Sequence, residues 1–167
     1  LLNIVRVEKP DILFPGRDED LKILASVQKE LKKLGTFLLA GSMDALNICT
    51  DKYLTAMYLR NLGHPFVSTG HSRNGISEII KKFGFPIIVK PRYGFGSNDI
   101  HIISSYRELN PRFFDNDKWI AQKLLIPVEW RFARGKVNLD MLFVDGKLCQ
   151  DNEYSVQVLL GYDDILG

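Results

Sequence analysis

The sequence has little net charge, few cysteines and no long hydrophobic run. Its 22 basic and 20 acidic residues leave a formal charge of +2 on 167 residues, which gives no strong field for nucleic acid. The two cysteines, Cys49 and Cys149, stand far apart, so a disulfide framework is not expected. No apolar segment is long enough to span a bilayer, and the N-terminus lacks the features of a signal peptide. We therefore expect a cytoplasmic protein that binds neither nucleic acid nor membrane.

The order of the predicted elements indicates an α/β protein whose second half is α+β. A strand at residues 11–14, a helix at 18–34 and a strand at 36–39 predict a parallel pair with a crossover helix. Further on, the pattern predicts a helix at 76–83, strands at 85–90, 100–103 and 119–126, and a hairpin around residues 145–146. The polar loop at 70–75 is the expected boundary between a domain of residues 1–70 and one of 71–167.

The N-terminus opens on an apolar, helix-like stretch without an initiator methionine. A domain that began there would lack whatever precedes this helix. We expect the chain to be part of a longer protein.

Residues 85–103 are the most informative segment of the sequence. The apolar run FPIIV ends at Lys90, a turn carrying Gly94, Gly96 and Ser97 follows, and a second apolar run begins at Ile100. A lysine at a strand end, next to a turn with uncrowded backbone N–H groups, suits a polyphosphate. The spacing matches neither a P-loop nor a dinucleotide fingerprint. Taken alone, the glycine pair is better explained by an ordinary hairpin.

Two other segments add candidate residues. Lys52 opens a predicted helix, where backbone N–H groups and the helix dipole favour anions, although a solvated lysine would have the same pattern. Gln122 ends an apolar strand, and Glu129 follows it by seven residues across a linker with few side-chain donors. A carboxylate such as Glu129 can accept hydrogen bonds from two ribose hydroxyls, or it is simply an exposed strand residue.

Three single residues are less specific. Arg92 fits a phosphate contact or an exposed loop position equally well. His101 is expected on a strand face in a structural role, and Cys49 is expected in the core because no adjacent base is evident.

The order and spacing of these motifs resemble the ATP-grasp superfamily, and within it the large chain of carbamoyl phosphate synthase and its stand-alone relatives. The resemblance spans about residues 5–145. It implies part of a Rossmann-like pre-ATP-grasp domain, followed by the ATP-grasp A subdomain and the start of the B subdomain.

The resemblance also implies a role for each candidate residue. Lys52 and Lys90 match the basic positions that contact ATP phosphates. The residues that match the glycine-rich loop over the β- and γ-phosphates are Gly94, Phe95, Gly96 and Ser97. On the adenine side the matching residues are Gln122, Leu124 and Leu125, and Glu129 matches the ribose-binding glutamate.

Family members use Mg²⁺ and ATP to phosphorylate a carboxylate or bicarbonate, and an amine or ammonia then displaces the phosphate. The resemblance implies these cofactors and substrates for this chain, and a homodimer is one expected assembly. The Glu-x-Asn pair that holds Mg²⁺ in the family is not found, so we do not expect turnover from this stretch of chain alone. A non-catalytic nucleotide-binding module and a purely structural domain are the alternatives.

Overall fold

The computed structural model describes residues 1–94, 96–114 and 117–125, together with the backbone of residues 143–144 and 147–148. The chain divides into two units, Leu1–Leu124 and Leu125–Gly167, and each is described by itself.

The first unit begins with helices and a two-stranded parallel sheet. Its elements are α1 (Leu2–Glu8), β1 (Ile12–Leu13), α2 (Asp18–Ser26), α3 (Gln28–Lys33), β2 (Phe37–Leu38), α4 (Met43–Cys49) and α5 (Lys52–Asn61). Strands β1 and β2 pair in parallel, which confirms the predicted crossover. The single helix expected at 18–34 is two helices, because Val27 leaves the helical region at φ −108° and ψ 14°. Val27 packs against the core formed by Val5, Leu24, Leu31 and Leu38.

An antiparallel sheet forms the rest of this unit. Its elements are β3 (Thr69–His71), α6 (Ser72–Phe83), β4 (Ile87–Pro91), β5 (His101–Ile103), two 3₁₀ turns (Tyr106–Glu108 and Pro111–Phe114) and β6 (Trp119–Lys123). The strand order is β3-β6-β4-β5, and every neighbouring pair is antiparallel. The β-branched runs on β4 and β5 account for these strands, which the sequence predicts.

Helix α6 covers one face of this sheet. Ile76, Ile79 and Ile80 of α6 pack on Ile87 and Val89 of β4. The isoleucines recur at i, i+3 and i+4, so one stripe of the helix is apolar. Because side chains alternate along a strand, Ile88 and Lys90 point to the other face.

Two local predictions are wrong. The polar loop expected at 70–75 is the end of β3 and the first turn of α6, and the domain boundary placed there stays a prediction. Cys49, expected in the core, is exposed at the end of α4. Among the described residues, no helix combines the length and apolarity that crossing a membrane requires.

The second unit contributes one described pair of strands. Strands β7 (Phe143–Val144) and β8 (Lys147–Leu148) are antiparallel, as the predicted hairpin requires. Its expected turn at 145–146 lies outside the described residues.

Gly70 explains why β3 can turn directly into α6. A Cβ at Gly70 would overlap the carbonyl oxygen of Gly75 and lie 2.5 Å from its carbonyl carbon. Backbone atoms cannot move aside as a flexible side chain can. We expect Gly70→Ala to lower the free energy of unfolding by about 2–3 kcal/mol, measured by urea denaturation.

Gly16→Ala is the matched control, since a Cβ at Gly16 meets nothing within 4 Å. It should change stability by no more than about 0.5 kcal/mol. Equal effects of the two substitutions would contradict the close approach of Gly70 and Gly75.

Candidate functional site

The face of the sheet opposite α6 carries two of the predicted site residues. The strand register aligns two rows on this face, Lys90 with Ile120 and His71, and Ile88 with Gln122 and Thr69. Lys90 and Gln122 are therefore diagonal neighbours on adjacent strands, a relation that corresponds to about 7–8 Å. Lys90 is half-buried, and Gln122 is only 6% exposed.

The N-terminus of α5 brings Lys52 to the glycine-rich loop. The Lys52 ammonium donates a hydrogen bond to the Gly94 carbonyl oxygen at 2.7 Å. The Lys52 N–H donates to the Arg92 carbonyl oxygen at 3.1 Å. The neighbouring Tyr53 ring contacts the His71 ring of β3 with centroids 3.9 Å apart. Lys52 and the loop are thus adjacent, although 42 positions separate Lys52 from Gly94 in the sequence.

The loop between β4 and β5 is exposed and has an unusual backbone. Gly94 and Gly96 have φ of 104° and 69°, values that glycine adopts without strain. Ser97 and Asp99 also lie in the left-handed region, at 55° and 57°. Phe95, a predicted site residue, lies outside the described residues.

A buried carboxylate holds the start of this loop. Asp51 is 1% exposed, and its carboxylate accepts hydrogen bonds from the Arg92 guanidinium at 2.8 Å and from the Tyr93 hydroxyl at 2.8 Å. The same carboxylate caps α5 by accepting from the N–H groups of Tyr53 and Leu54. Arg92 therefore pairs with Asp51, a contact that neither interpretation of Arg92 from the sequence predicts.

The pKa values at this cluster follow from its contacts. Burial by itself raises the pKa of Asp51, but the hydrogen bonds from Arg92, the Leu54 N–H and Tyr93 outweigh it and lower the pKa below its usual range. The bond to Asp51 raises the pKa of the Tyr93 hydroxyl. Burial lowers the pKa of Lys52, and the nearby charge of Asp51 partly offsets that effect.

A second polar cluster lies where the loop enters β5. The Asp99 carboxylate is 2.7 Å from His101 Nε2 and 3.1 Å from the Arg112 guanidinium. The His101 ring packs between Phe113 and Trp119, on the face that α6 covers. His101 therefore lies on a strand face, as predicted, and it contacts the end of the loop.

Gln122 lies on β6, and the remaining predicted site residues follow this strand. Gln122 Nε2 donates to the Thr69 hydroxyl oxygen at 2.7 Å. Leu124 is half-buried, and Leu125 is 69% exposed. Glu129 lies outside the described residues. In the part of the chain that the structure describes, no group of three or more His, Cys, Asp or Glu side chains could hold a metal ion.

Comparison with known proteins places carbamoyl phosphate synthase large chains among the relatives of this chain. No protein-family model matches the chain. It is 30% identical over 159 residues to the carbamoyl phosphate synthase large chain of Archaeoglobus fulgidus, covering 92% of this chain and 14% of that protein. It is 29% identical over 113 residues to the large chain of Rubrobacter xylanophilus, covering 65% of this chain and 10% of the relative. The chain thus spans about a tenth to a seventh of the length of these relatives.

A solved structure shares the fold. The biotin carboxylase domain of Hydrogenobacter thermophilus 2-oxoglutarate carboxylase aligns with a TM-score of 0.58 and 16% identity, covering 74% of this chain and 30% of that one. That structure is a dimer in complex with MgADP, ADP and bicarbonate. The predicted α/β fold class is confirmed. The resemblance of the motifs to the ATP-grasp superfamily and to the carbamoyl phosphate synthase large chain is confirmed as well.

The Asp51 cluster gives a stability prediction with a defined pH dependence. Asp51→Asn keeps a capping side chain but leaves the Arg92 guanidinium without its counter-charge. We expect it to lower the free energy of unfolding at pH 7 by about 3 kcal/mol. Since the folded-state pKa of Asp51 is lowered, its contribution is present above the ordinary carboxyl pKa of about 3.9 and is lost as pH falls through the folded value.

Urea denaturation of the unaltered chain and of Asp51→Asn, from pH 7 down to pH 3, measures the difference in their free energies of unfolding. This difference should become smaller as pH falls below about 4. Asp44→Asn, at an exposed position in the first turn of α4, is the control and should have little effect. If the difference in free energy of unfolding stays constant with pH, the pKa of Asp51 is not lowered in the folded state.

Proposed function

Because the chain is related to the carbamoyl phosphate synthase large chain and shares the fold of ATP-grasp enzymes, we propose that it forms the nucleotide-binding part of an ATP-dependent ligase. In this proposal ATP lies on the sheet face opposite α6. Its γ-phosphoryl group is transferred to a carboxylate or bicarbonate, and an amine or ammonia then attacks the acyl-phosphate. A cytoplasmic location, a homodimer and the absence of nucleic-acid or membrane partners stay predictions.

The observation that carries the proposal is the convergence of three separate segments. Lys52 lies at the N-terminus of α5, Lys90 lies on β4, and Gly94 lies in the loop that Lys52 contacts. Two lysines beside exposed backbone of a glycine-rich turn offer charge and N–H donors to a polyphosphate. Phosphoryl transfer depends mainly on positioning and charge neutralisation, which these groups supply.

The contact between Lys52 and Gly94 suggests how the loop responds to nucleotide. Its acceptor is a neutral carbonyl, and a phosphate oxygen makes a stronger charge-assisted bond to an ammonium. We expect Lys52 to exchange the Gly94 carbonyl for phosphate when nucleotide binds. The loop residues Gly96 and Ser97 are then free to cover the phosphates and to exclude water from the acyl-phosphate.

The base and ribose are assigned from the order of the motifs in the sequence. Gln122, Leu124 and Leu125 lie in sequence where the adenine-side linker is expected, and Glu129 is the proposed ribose ligand. Mg²⁺ would neutralise phosphate charge in such a reaction. The described residues do not themselves form a site that fits Mg²⁺, and no step of the proposal is routed through it.

Lys90→Ala tests the phosphate assignment. A charge-assisted contact contributes about 1.5–3 kcal/mol, so we expect nucleotide affinity to fall about ten- to hundredfold. Isothermal titration with ATP, with and without Mg²⁺, measures the loss. Thermal shift at rising nucleotide concentration gives an independent readout, because a ligand that binds only the folded state stabilises it.

Lys81→Ala is the control, since Lys81 is an exposed lysine of α6 on the opposite side of the sheet. It should leave the affinity unchanged. If Lys90→Ala binds nucleotide as tightly as the unaltered chain does, Lys90 does not contact phosphate.

Glu129→Ala tests the ribose assignment. We expect this variant to bind ATP several-fold more weakly and to bind inorganic tripolyphosphate normally, since tripolyphosphate has no ribose. Parallel titrations with the two ligands measure the difference. Equal losses for both would show that Glu129 acts on the phosphates or on folding instead.

A further inference from the structure

The C-terminal end of the loop between β4 and β5 is held by a cluster of three side chains. The Asp99 carboxylate is 2.7 Å from Nε2 of His101 and 3.1 Å from the Arg112 guanidinium. The same guanidinium nitrogen is 2.8 Å from Nε2 of His101. The side chains of all three residues are between a third and a half exposed, so the cluster lies at the surface.

The Asp99 carboxylate is the acceptor at the centre of this cluster. A carboxylate only accepts and a guanidinium only donates, so Asp99 accepts from Arg112 whatever the state of His101. If Nε2 of His101 bore no hydrogen, its lone pair would face the carboxylate oxygen at 2.7 Å. With a hydrogen on Nε2, both donors converge on Asp99 and both bonds are charge-assisted. The neutral Nε2–H tautomer and the protonated ring both provide that hydrogen.

The two donors rest on the core of the sheet, whereas Asp99 belongs to the exposed loop. The His101 ring centroid lies 5.1 Å from that of Phe113 and 5.9 Å from that of Trp119. The Arg112 guanidinium lies over the same two rings, at 5.3 Å and 5.1 Å, a placement that cation–π attraction stabilises. Phe113 and Trp119 are buried. The cluster therefore attaches the end of the loop to a packed part of the molecule.

The attachment of Asp99 limits how far the tip of the loop can move. Ser97 precedes Asp99 by two positions, so it lies within about 7 Å of Asp99 even when the chain is fully extended. At the other end, Gly94 follows Arg92 by two positions, and Asp51 holds Arg92. The reach of the tip is therefore set by Asp99 from one side and by Arg92 from the other.

We propose that Asp99 is a positioning residue, which holds the C-terminal end of the loop so that Gly96 and Ser97 reach the terminal phosphates of ATP. The inference rests on the proposed function, because it names the attachment on which the phosphate-covering loop depends. Asp99 is itself an anion and acts through the loop. A loop that is already attached loses less conformational entropy when it closes, and this raises the affinity for a ligand that it covers.

Asp99→Ala tests the inference, because two roles of this carboxylate would change ATP affinity in opposite directions. An unattached carboxylate near the phosphates repels them, so its removal would raise ATP affinity. Removal of an attachment frees the loop and lowers ATP affinity. We expect Asp99→Ala to bind ATP about three- to tenfold more weakly, as the cost of ordering a freed segment predicts. Isothermal titration measures the change.

Asp99→Asn is the matched control for charge. It removes the same charge as Asp99→Ala, but it keeps an oxygen that can accept from Arg112, and asparagine tolerates the positive φ of 57° at this position. We expect Asp99→Asn to bind ATP more tightly than Asp99→Ala does. Equal losses in the two variants would show that the hydrogen bonds of Asp99 do not hold the loop.

Arg112→Ala removes the donor side of the same attachment and should also weaken ATP binding. Because Asp99 and Arg112 act as one unit, the double variant should lose no more affinity than the weaker-binding single variant. Arg107→Ala is the control, since Arg107 is an exposed arginine of the neighbouring 3₁₀ turn, and it should leave the affinity unchanged. Fully additive losses would contradict the pairing of Asp99 with Arg112.

AMP separates positioning of the loop from a role in folding. It lacks the β- and γ-phosphates that the loop covers, so Asp99→Ala should bind AMP as the unaltered chain does, measured by chemical-shift titration at millimolar ligand. Thermal denaturation without nucleotide checks that each variant folds. A merely structural role would weaken ATP and AMP together.

The outcomes separate this inference from the proposed function. No binding of ATP by the unaltered chain would contradict the proposed function itself. ATP binding that is unchanged or tighter in Asp99→Ala, or equal losses of ATP and AMP affinity, would overturn the role of Asp99 and leave the proposed function standing.

Discussion

The carboxylate of Asp51 is the constraint on which the rest of the candidate site depends. Removing a carboxylate from water is costly unless charge and hydrogen bonds replace the lost hydration. Asp51 obtains both, from the Arg92 guanidinium, from Tyr93, and from the first N–H groups of α5. A single buried group thereby fixes a helix N-terminus to the end of β4, across 41 positions of sequence. The position of Lys52 beside the loop follows from that attachment.

The contacts of Asp51 also explain how the loop between β4 and β5 can be anchored at its start and still be exposed. Its first end is held by Asp51 through Arg92, and its second end lies at the cluster of Asp99, His101 and Arg112. Between these ends, Gly94 and Gly96 are exposed and adopt positive φ values. A loop that is fixed at both ends and exposed at its tip can close over a ligand while its two ends stay attached to the sheet. This combination supports its proposed role over phosphates.

The sequence predicts those parts of the fold that arise from local patterns. Strands β4 and β5 follow from dense β-branched residues, and the parallel pairing of β1 and β2 follows from their separation by helices. The sequence did not predict the start of α6. There the backbone of Gly70 lies close to the carbonyl group of Gly75, and a local sequence pattern does not reveal such a contact. For the site, motif order singled out Lys52, Lys90 and Gln122. The pairing of Asp51 with Arg92 was not predicted, since each residue alone is typical of a helix cap or a loop. The available sign of this pairing in the sequence is Asp51, which directly precedes the candidate residue Lys52.

The central claim is that nucleotide occupies the sheet face opposite α6. Amide chemical-shift mapping of the chain during titration with ADP tests it most directly. The claim predicts that the largest changes occur at Lys52, Lys90, Gly94, Ser97 and Gln122, with little change at Ile79 and Ile80 on the covered face. Changes concentrated on α6, or no changes at millimolar ADP in a folded sample, would contradict it.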